Sequence, residues 1–407
     1  MPEVIFPESA EHVHEFVAWA AAEDKPLTVA GRGSKGSIGP RPTAQHVLDL
    51  SKLSGITAYE PEELILQAKA GTTIADIESA LAAKEQMLAF EPPDLGPLFG
   101  NAPQRGTIGG TLACNHSGPR RFKAGAARDH FLGARAFSGR GEEFKTGGRV
   151  VKNVTGYDLC KVLAGSYGTL AVMTDVTVKV LPAAEKTRTV LVIGLDDEGG
   201  QRAMTRALTG AFEVSGATHL PAALAAKSKV SYVSEAGNSI TALRIEGPEK
   251  SVAARCAALR KDLLSFGETE ELHSANSRCL WQEIRDVQFF VGETRPVWRI
   301  SIAPQSGHSV GTVIGALDDA ECFYDWGGGL IWAMTSPDDD CGASAIRNSI
   351  TRLGGGHATL MRLPQDMPSA IPVFHPLDPA IAALNQRIKW AFDPKGILNP
   401  GLFPSGA

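Results

Sequence analysis

The feature that most restricts this chain is a glycine loop that no helix can follow. Leu27-Thr28-Val29-Ala30 reads as a short buried strand and runs straight into Gly31-Arg32-Gly33-Ser34-Lys35-Gly36-Ser37. G-x-G-x-x-G after a strand invites a dinucleotide-binding βαβ unit. That unit needs a helix directly after the loop and an acidic residue about 20 positions on. Here Ile38-Gly39-Pro40-Arg41-Pro42 comes next, and two prolines forbid the helix. Asp49 arrives too early for a ribose partner. A phosphate-binding Walker loop fails as well, because Ser37 stands where it needs a lysine. What remains is a non-helical loop whose successive N–H groups could cradle an anion, with Arg32 and Lys35 adding charge. The alternative is a plain turn.

The chain around this loop has 407 residues, 43% hydrophobic and 21% charged. That composition fits an ordinary folded protein of two to four domains, at roughly 100–200 residues each. A net charge of −5 argues against a nucleic-acid platform. No apolar run reaches the roughly 18 residues of a membrane span. The start, Met1-Pro2-Glu3-Val4, has neither the basic nor the apolar region of a secretory signal. Six cysteines form no C-x-x-C pair, so reduced thiols in a cytoplasmic protein are expected. His12 and His14 read as solvated residues on a surface helix, and no metal site is expected.

Along the chain, Ser9 is placed to cap a helix whose apolar face is Val13, Phe16, Val17, Ala20 and Ala21. Strands are expected at 47–50, 64–68 and 172–181, and a helix from Gly71-Thr72-Thr73 through Leu81. Gly106-Thr107-Ile108-Gly109-Gly110-Thr111 is a second glycine segment, where small residues let a flat ligand or a diphosphate approach the backbone. Asn115, Ser117 and the basic run Arg120-Arg121-Lys123 follow it. Pro182 to Lys186 read as a domain boundary. Beyond it, strands near 189–193, 241–245, 297–302, 322–325, 330–334 and 359–363 alternate irregularly with helices. That pattern predicts an antiparallel sheet with helices on one face. The tail forms a helix, 381–392, and then Asp393-Pro394-Lys395-Gly396-Ile397-Leu398-Asn399-Pro400-Gly401.

Taken in order, these motifs are specific. Leu-Thr-Val-x-Gly-x-Gly-Ser, Pro92-Pro93-Asp94, Gly106 to Thr111, Arg128-Asp129-x-x-Leu132-Gly133, Val151-Lys152-Asn153-x-x-Gly156-Tyr157-Asp158-Leu159 and Gly168-Thr169-Leu170 resemble the FAD-binding domain of the vanillyl-alcohol oxidase/PCMH flavoprotein superfamily. The resemblance covers residues 1–182, and the tail motif is similar to that family's C-terminal motif. Gly147-Gly148-x-Val150-Val151-Lys152-Asn153 and Asp325-Trp326-Gly327-Gly328 narrow it further. They are similar to a family of FAD-binding subunits of bacterial glycolate oxidase, also called glycolate dehydrogenase, which work beside a larger flavin subunit.

The resemblance implies an α+β fold. A two-lobed FAD domain (1–182) would precede an antiparallel-sheet cap domain (183–375), and a tail (376–407) would return to the flavin. It implies non-covalent FAD, because relatives that tether flavin use a His or Cys where this chain has Ser34-Lys35 and Gln104-Arg105. Gly31, Arg32, Gly33, Ser34, Lys35, Gly36 and Ser37 would hold the pyrophosphate. Pro93, Asp94, Thr107, Gly109 and Gly110 would lie along the ribityl chain and flavin, with Asn115 and Ser117 nearby. Gly156, Gly168, Leu170 and Val172 would border the adenine, and Asn399 would approach the isoalloxazine ring.

It implies partners too: a larger FAD-binding glycolate oxidase subunit and an iron–sulfur subunit, in a complex that oxidises a small hydroxy acid and can sit at the inner face of the membrane. Two departures stand out. Tyr167 replaces a Glu of the catalytic relatives, and their H-x-G-D-G-N-x-H motif is missing from the second half. No catalytic base or carboxylate anchor is identified by resemblance. The readings that compete with an electron-transferring subunit are a self-sufficient FAD dehydrogenase and a flavin-binding scaffold without turnover.

Overall fold

A computed structural model describes residues 2–36, 38, 44–148, 156–364, 367 and 371–403. Ser37 and the Val151-Lys152-Asn153 motif lie outside them. The chain divides into two compact units. The first is 1–117, 125–183 and 376–407; the second is 118–124 and 184–375.

The first unit holds two main sheets. Glu3–Ile5, His46–Asp49 and Leu27–Ala30 form a parallel three-stranded sheet in that spatial order. The tail extends it beyond Leu27: the Leu27 amide donates to the Ile397 carbonyl at 2.7 Å, and the Asn399 amide donates to the Leu27 carbonyl at 2.9 Å. The second sheet is antiparallel, in the order Ile56–Glu60, Ile65–Lys69, Ala171–Lys179, Phe131–Ser138 and Glu143–Gly147.

The first helix, Ala10–Ala22, starts where Ser9 Oγ accepts the His12 amide, and it buries Val13, Val17 and Ala20. The second glycine segment differs from a simple loop. Thr107 caps a seven-residue helix, Ile108–Cys114, so only its first residues remain irregular. The expected strands, helices and tail otherwise fall within a few residues of their predicted positions.

The second unit is built on one antiparallel sheet of eight strands. Their order is Glu268–Leu272, Lys186–Ile193, Ile240–Gly247, Gly216–Leu220, Glu321–Asp325, Leu330–Met334, Val297–Ile302 and Gly356–Arg362. Helices Asp197–Thr209, Glu249–Leu263, Gly307–Gly315 and Ala343–Arg352 pack on one face. Their Met204, Leu259, Ile314 and Ile346 join Val190, Leu243, Ile300 and Tyr324 in one core. The other face carries a further helix, Ser274–Arg285, which sequence pattern does not mark. Its Trp281 indole donates to Thr189 Oγ1 at 2.8 Å.

Two glycines make room for a polar knot inside that core. A Cβ on Gly311 would collide with the Tyr324 hydroxyl, and one on Gly200 with the His219 ring. Tyr324 donates to Asp197, whose other oxygen lies 3.4 Å from His219 Nε2, and Thr241 Oγ1 holds His219 Nδ1 at 2.9 Å.

Candidate functional site

The first unit contains an open cleft of about 190 Å³ at the carboxyl end of the strand Leu27–Ala30. Open α/β sheets commonly receive ligands at that end. The loop leaves the strand and turns back on itself, the Gly36 amide donating to the Gly33 carbonyl at 3.2 Å. Gly33 sits at φ +67°, a left-handed conformation that glycine adopts without steric cost. The amides of Arg32, Gly33, Ser34 and Lys35 take no partner among the described residues. Arg32 Nε is also buried without one among them, and the Ser34 side chain is buried. Donors left open by the protein are available to a bound acceptor, and a diphosphate supplies several oxygens to consecutive N–H groups. The loop therefore fits the pyrophosphate of a dinucleotide.

The second glycine segment meets this loop in space. A Cβ on Gly31 would run into the Thr107 side chain. Gly109 is packed against Ala70, where an added Cβ would lie 2.7 Å from the Ala70 methyl. Gly110 lies with Lys35 Nζ 3.8 Å from the position of its missing Cβ. The first amides of the short helix are already satisfied. Ile108 donates to the Thr72 carbonyl and Gly109 to the Ala70 carbonyl, both at 2.9 Å, and Gly110 donates to Thr107 Oγ1 at 3.3 Å. The segment thus contributes closeness and shape, while the orphan donors belong to 32–35.

On the far wall, Gly168 adopts φ +71°, and a Cβ there would press on Asn399 Nδ2 at 3.0 Å. The Asn399 side-chain amide is occupied by backbone: Oδ1 accepts the Val29 N–H at 2.7 Å and Nδ2 donates to the Tyr167 carbonyl at 2.8 Å. Asn399 therefore ties the tail to both walls of the cleft.

Of the residues expected at the cofactor, Gly31 to Gly36, Thr107, Gly109, Gly110, Gly168 and Asn399 line this cleft. The other described ones lie outside its lining. Leu170 and Val172 are core residues, and strand alternation puts their neighbours Ala171 and Met173 on the cleft instead. Asn115 caps the short helix in the left-handed region and accepts the Arg128 amide at 3.0 Å. Ser117 Oγ accepts the Ala127 amide at 2.8 Å. Asp94 closes its own loop, accepting the Gln104 amide at 2.6 Å; Pro93 is beside it. Gly156 is exposed at φ +87°. Sequence reasoning did not assign Cys114, Tyr167 or Met173 to this wall. Burial pushes the Cys114 thiol up, against the pull of the Lys35 charge.

Comparison with known proteins agrees with this geometry. The FAD binding domain family matches residues 2–147. Over 392 residues the chain is 32% identical to glycolate oxidase subunit GlcE of Escherichia coli (strain K12), with 95% of each chain covered. It is 30% identical over 195 residues to glycolate oxidase subunit GlcD of Bacillus subtilis (strain 168), covering 47% of this chain and 40% of that one. Among solved structures, 4-ethylphenol oxidase from Gulosibacter chungangensis superposes with a TM-score of 0.71 at 15% identity, over 99% of this chain and 89% of that one, which speaks to fold alone.

Proposed function

This chain belongs to the family of glycolate oxidase subunit GlcE, and from that membership we propose that it is the FAD-bearing, electron-transferring subunit of a complex that oxidises glycolate to glyoxylate. It is an FAD-binding oxidoreductase. The observation that carries the reading is the row of donors at 32–35, unpartnered among the described residues and set against a second segment whose Gly109 admits no side chain beside Ala70.

The residues of the cleft have separable tasks. The 32–35 amides and the Arg32 and Lys35 charges would bind the pyrophosphate. Gly31 and Gly109 would let Thr107 and Ala70 pack close to the cleft lining, and Gly110 would leave room beside Lys35. Asn399 and Gly168 would fix the wall facing it. Bound there, FAD supplies two-electron acceptance and onward transfer of single electrons.

Electrons would leave to an acceptor other than a nicotinamide, through a larger flavin subunit resembling GlcD and an iron–sulfur subunit. Among the described residues no helix is long and apolar enough to cross a membrane. Any contact with the inner membrane face would then run through those partners.

A test separates this reading from a self-sufficient dehydrogenase. The isolated chain, mixed anaerobically with millimolar glycolate, should keep its visible flavin band for minutes. The band should bleach once the larger flavin subunit and the iron–sulfur subunit are added. Rapid bleaching by the lone chain would overturn the subunit reading.

A further inference from the structure

Two of the tryptophans that lie beside an arginine differ in burial. Trp326, beside Arg121, is buried, and its indole Nε1 donates to the Gly118 carbonyl at 3.0 Å. Trp390 is 64% exposed, with Arg140 Cζ 5.8 Å from its ring centroid. It lies in the last turn of the tail helix, Pro379–Phe392, which buries none of its residues. The end of that helix is seated. Phe392 and half-buried Ile388 pack on the core of the first unit, and Lys389 Nζ donates to the Thr169 carbonyl at 2.6 Å and to the Leu398 carbonyl at 3.2 Å. Arg140 closes the last turn, its Nε donating to the Ala391 carbonyl at 2.9 Å. The earlier turns, 379–387, are exposed apart from half-exposed Ala382.

Successive side chains on a helix turn by about 100°. That places Ala380, Ile381, Ala383, Leu384, Trp390 and Ala391 in one half of the helix, with Arg387 near its middle. Ile381 is 48% and Leu384 42% exposed, and the three alanines are exposed as well. The opposite half carries Asn385 and Gln386, together with Lys389 and Phe392. The helix is amphipathic in reverse: its apolar half meets solvent, and its polar side chains share the half that is seated at the end. A contiguous apolar surface left outside marks an interaction site. The alanines let a partner approach the backbone closely, and Trp and Arg are the side chains that most often anchor a protein interface.

We propose that this half of the tail helix is the docking surface for the larger flavin subunit, which receives it in an apolar groove bearing a carboxylate opposite Arg387. Charge decides among the occupants. Residues 379–392 include no Asp or Glu, so a second copy set on the same half would bring Arg387 against its own counterpart with nothing on the face to neutralise either. A helix lying on a membrane keeps its cations on the polar half. Here the exposed side chains of that half are Asn385 and Gln386, and Lys389 is spent on Asp393. A protein groove with an acid inside it satisfies both the apolar surface and Arg387.

The helix is also tied to the cofactor cleft. The carbonyls that hold Lys389 belong to Thr169 and Leu398, the chain neighbours of Gly168 and Asn399 in the cleft wall. A subunit gripping the helix is held beside that wall, where a protein exchanging electrons with the flavin has to sit. The choice of the larger flavin subunit rests on the complex reading above; the acidic, apolar character of the partner does not.

The experiment measures binding of the FAD-loaded chain to the purified larger flavin subunit, by interferometry and by amide hydrogen exchange. The wild-type chain should bind saturably, and exchange at 380–391 should slow in the complex. Leu384→Asp and Arg387→Glu, both at exposed positions, should each weaken binding roughly tenfold with flavin content and melting temperature unchanged. Unchanged affinity in both variants overturns the proposal and leaves the complex reading standing. So does exchange at 380–391 that slows with the iron–sulfur subunit and not with the larger flavin subunit. Slowing by phosphatidylglycerol vesicles alone would assign the surface to lipid, and a wild-type dimer that Leu384→Asp makes monomeric would assign it to a second copy; either overturns the proposal. A wild-type chain that binds neither subunit sinks the complex reading together with this choice of partner.

Discussion

Arg120 meets the Glu246 carboxylate with two parallel hydrogen bonds, Nε to Oε2 at 3.0 Å and Nη2 to Oε1 at 2.9 Å, and both side chains are only 11% exposed. Arg244 Nε lies 3.5 Å from the same carboxylate. Burial works to raise the Glu246 pKa, yet Arg244 and Arg120 hold it far below the ordinary carboxylate value. Replacing Glu246 with Gln strands two cations in the interior, and removal of one partner from a buried ion pair costs about 3–5 kcal/mol. Thermal melting of Glu246→Gln should show a clear loss at pH 7.

The pH dependence has a definite sign. A carboxyl depressed in the folded state stabilises the fold fully above its unfolded pKa, and the contribution fades as pH falls through the folded value. Between about pH 5 and pH 2 the wild-type chain should therefore lose stability more steeply than Glu246→Gln. Parallel acid limbs for the two proteins would remove Glu246 from that account.

Gly31 and Gly33 fail for different reasons when substituted. A side chain at 31 collides with Thr107, the cap of the short helix, so Gly31→Val should disturb both cleft walls. A side chain at 33 meets nothing within 4 Å, but φ +67° costs a β-carbon residue roughly 1–2 kcal/mol. Both variants should lose bound FAD, and Gly31→Val should also lower the melting temperature of the apo chain. Full flavin occupancy in folded Gly33→Val would point to a plain turn.

Cys114 lines the cleft, yet its thiol is held protonated by burial and is a poor nucleophile. The flavin should therefore be non-covalent and should appear in the supernatant after acid precipitation. Cys114→Ser should keep its yellow colour. A coloured, washed pellet would contradict this.

Asp393 organises the tail. Its carboxylate accepts Ile397 N at 3.0 Å, Leu398 N at 2.8 Å and Lys389 Nζ at 2.6 Å, and it is 2% exposed. Asp393→Ala leaves the Ile397 and Leu398 amides without this acceptor, at a cost of roughly 1–3 kcal/mol for each buried group, while Lys389 Nζ keeps the Thr169 and Leu398 carbonyls. The expected result is weaker FAD binding with faster hydrogen exchange at Leu27, whose amide is held by Ile397.

Glycine punctuation and hydrophobic period made much of this legible in sequence. The Ser9 cap marked the first helix, a local effect written in adjacent residues. Leu170 and Val172 show where such reading stops. A one-residue shift along a strand exchanges its faces, and only the tertiary partner decides which face meets the cleft. Arg120 and Arg121 show it again: identical neighbours in a basic run, one is consumed by Glu246, 126 positions away, and the other by Trp326. No local pattern encodes pairings of that range.

The seven residues 118–124 belong to the second unit although residues on both sides of them belong to the first. Neither unit is therefore a continuous piece of gene. A fragment ending near 183 would keep Arg120 without Glu246 and would lack the tail that flanks Leu27. A fragment covering 184–375 would carry Glu246 without Arg120, and Trp326 without the Gly118 carbonyl. Expression as separable halves should yield two insoluble products, and genetic exchange between relatives should preserve the whole chain rather than swap one half.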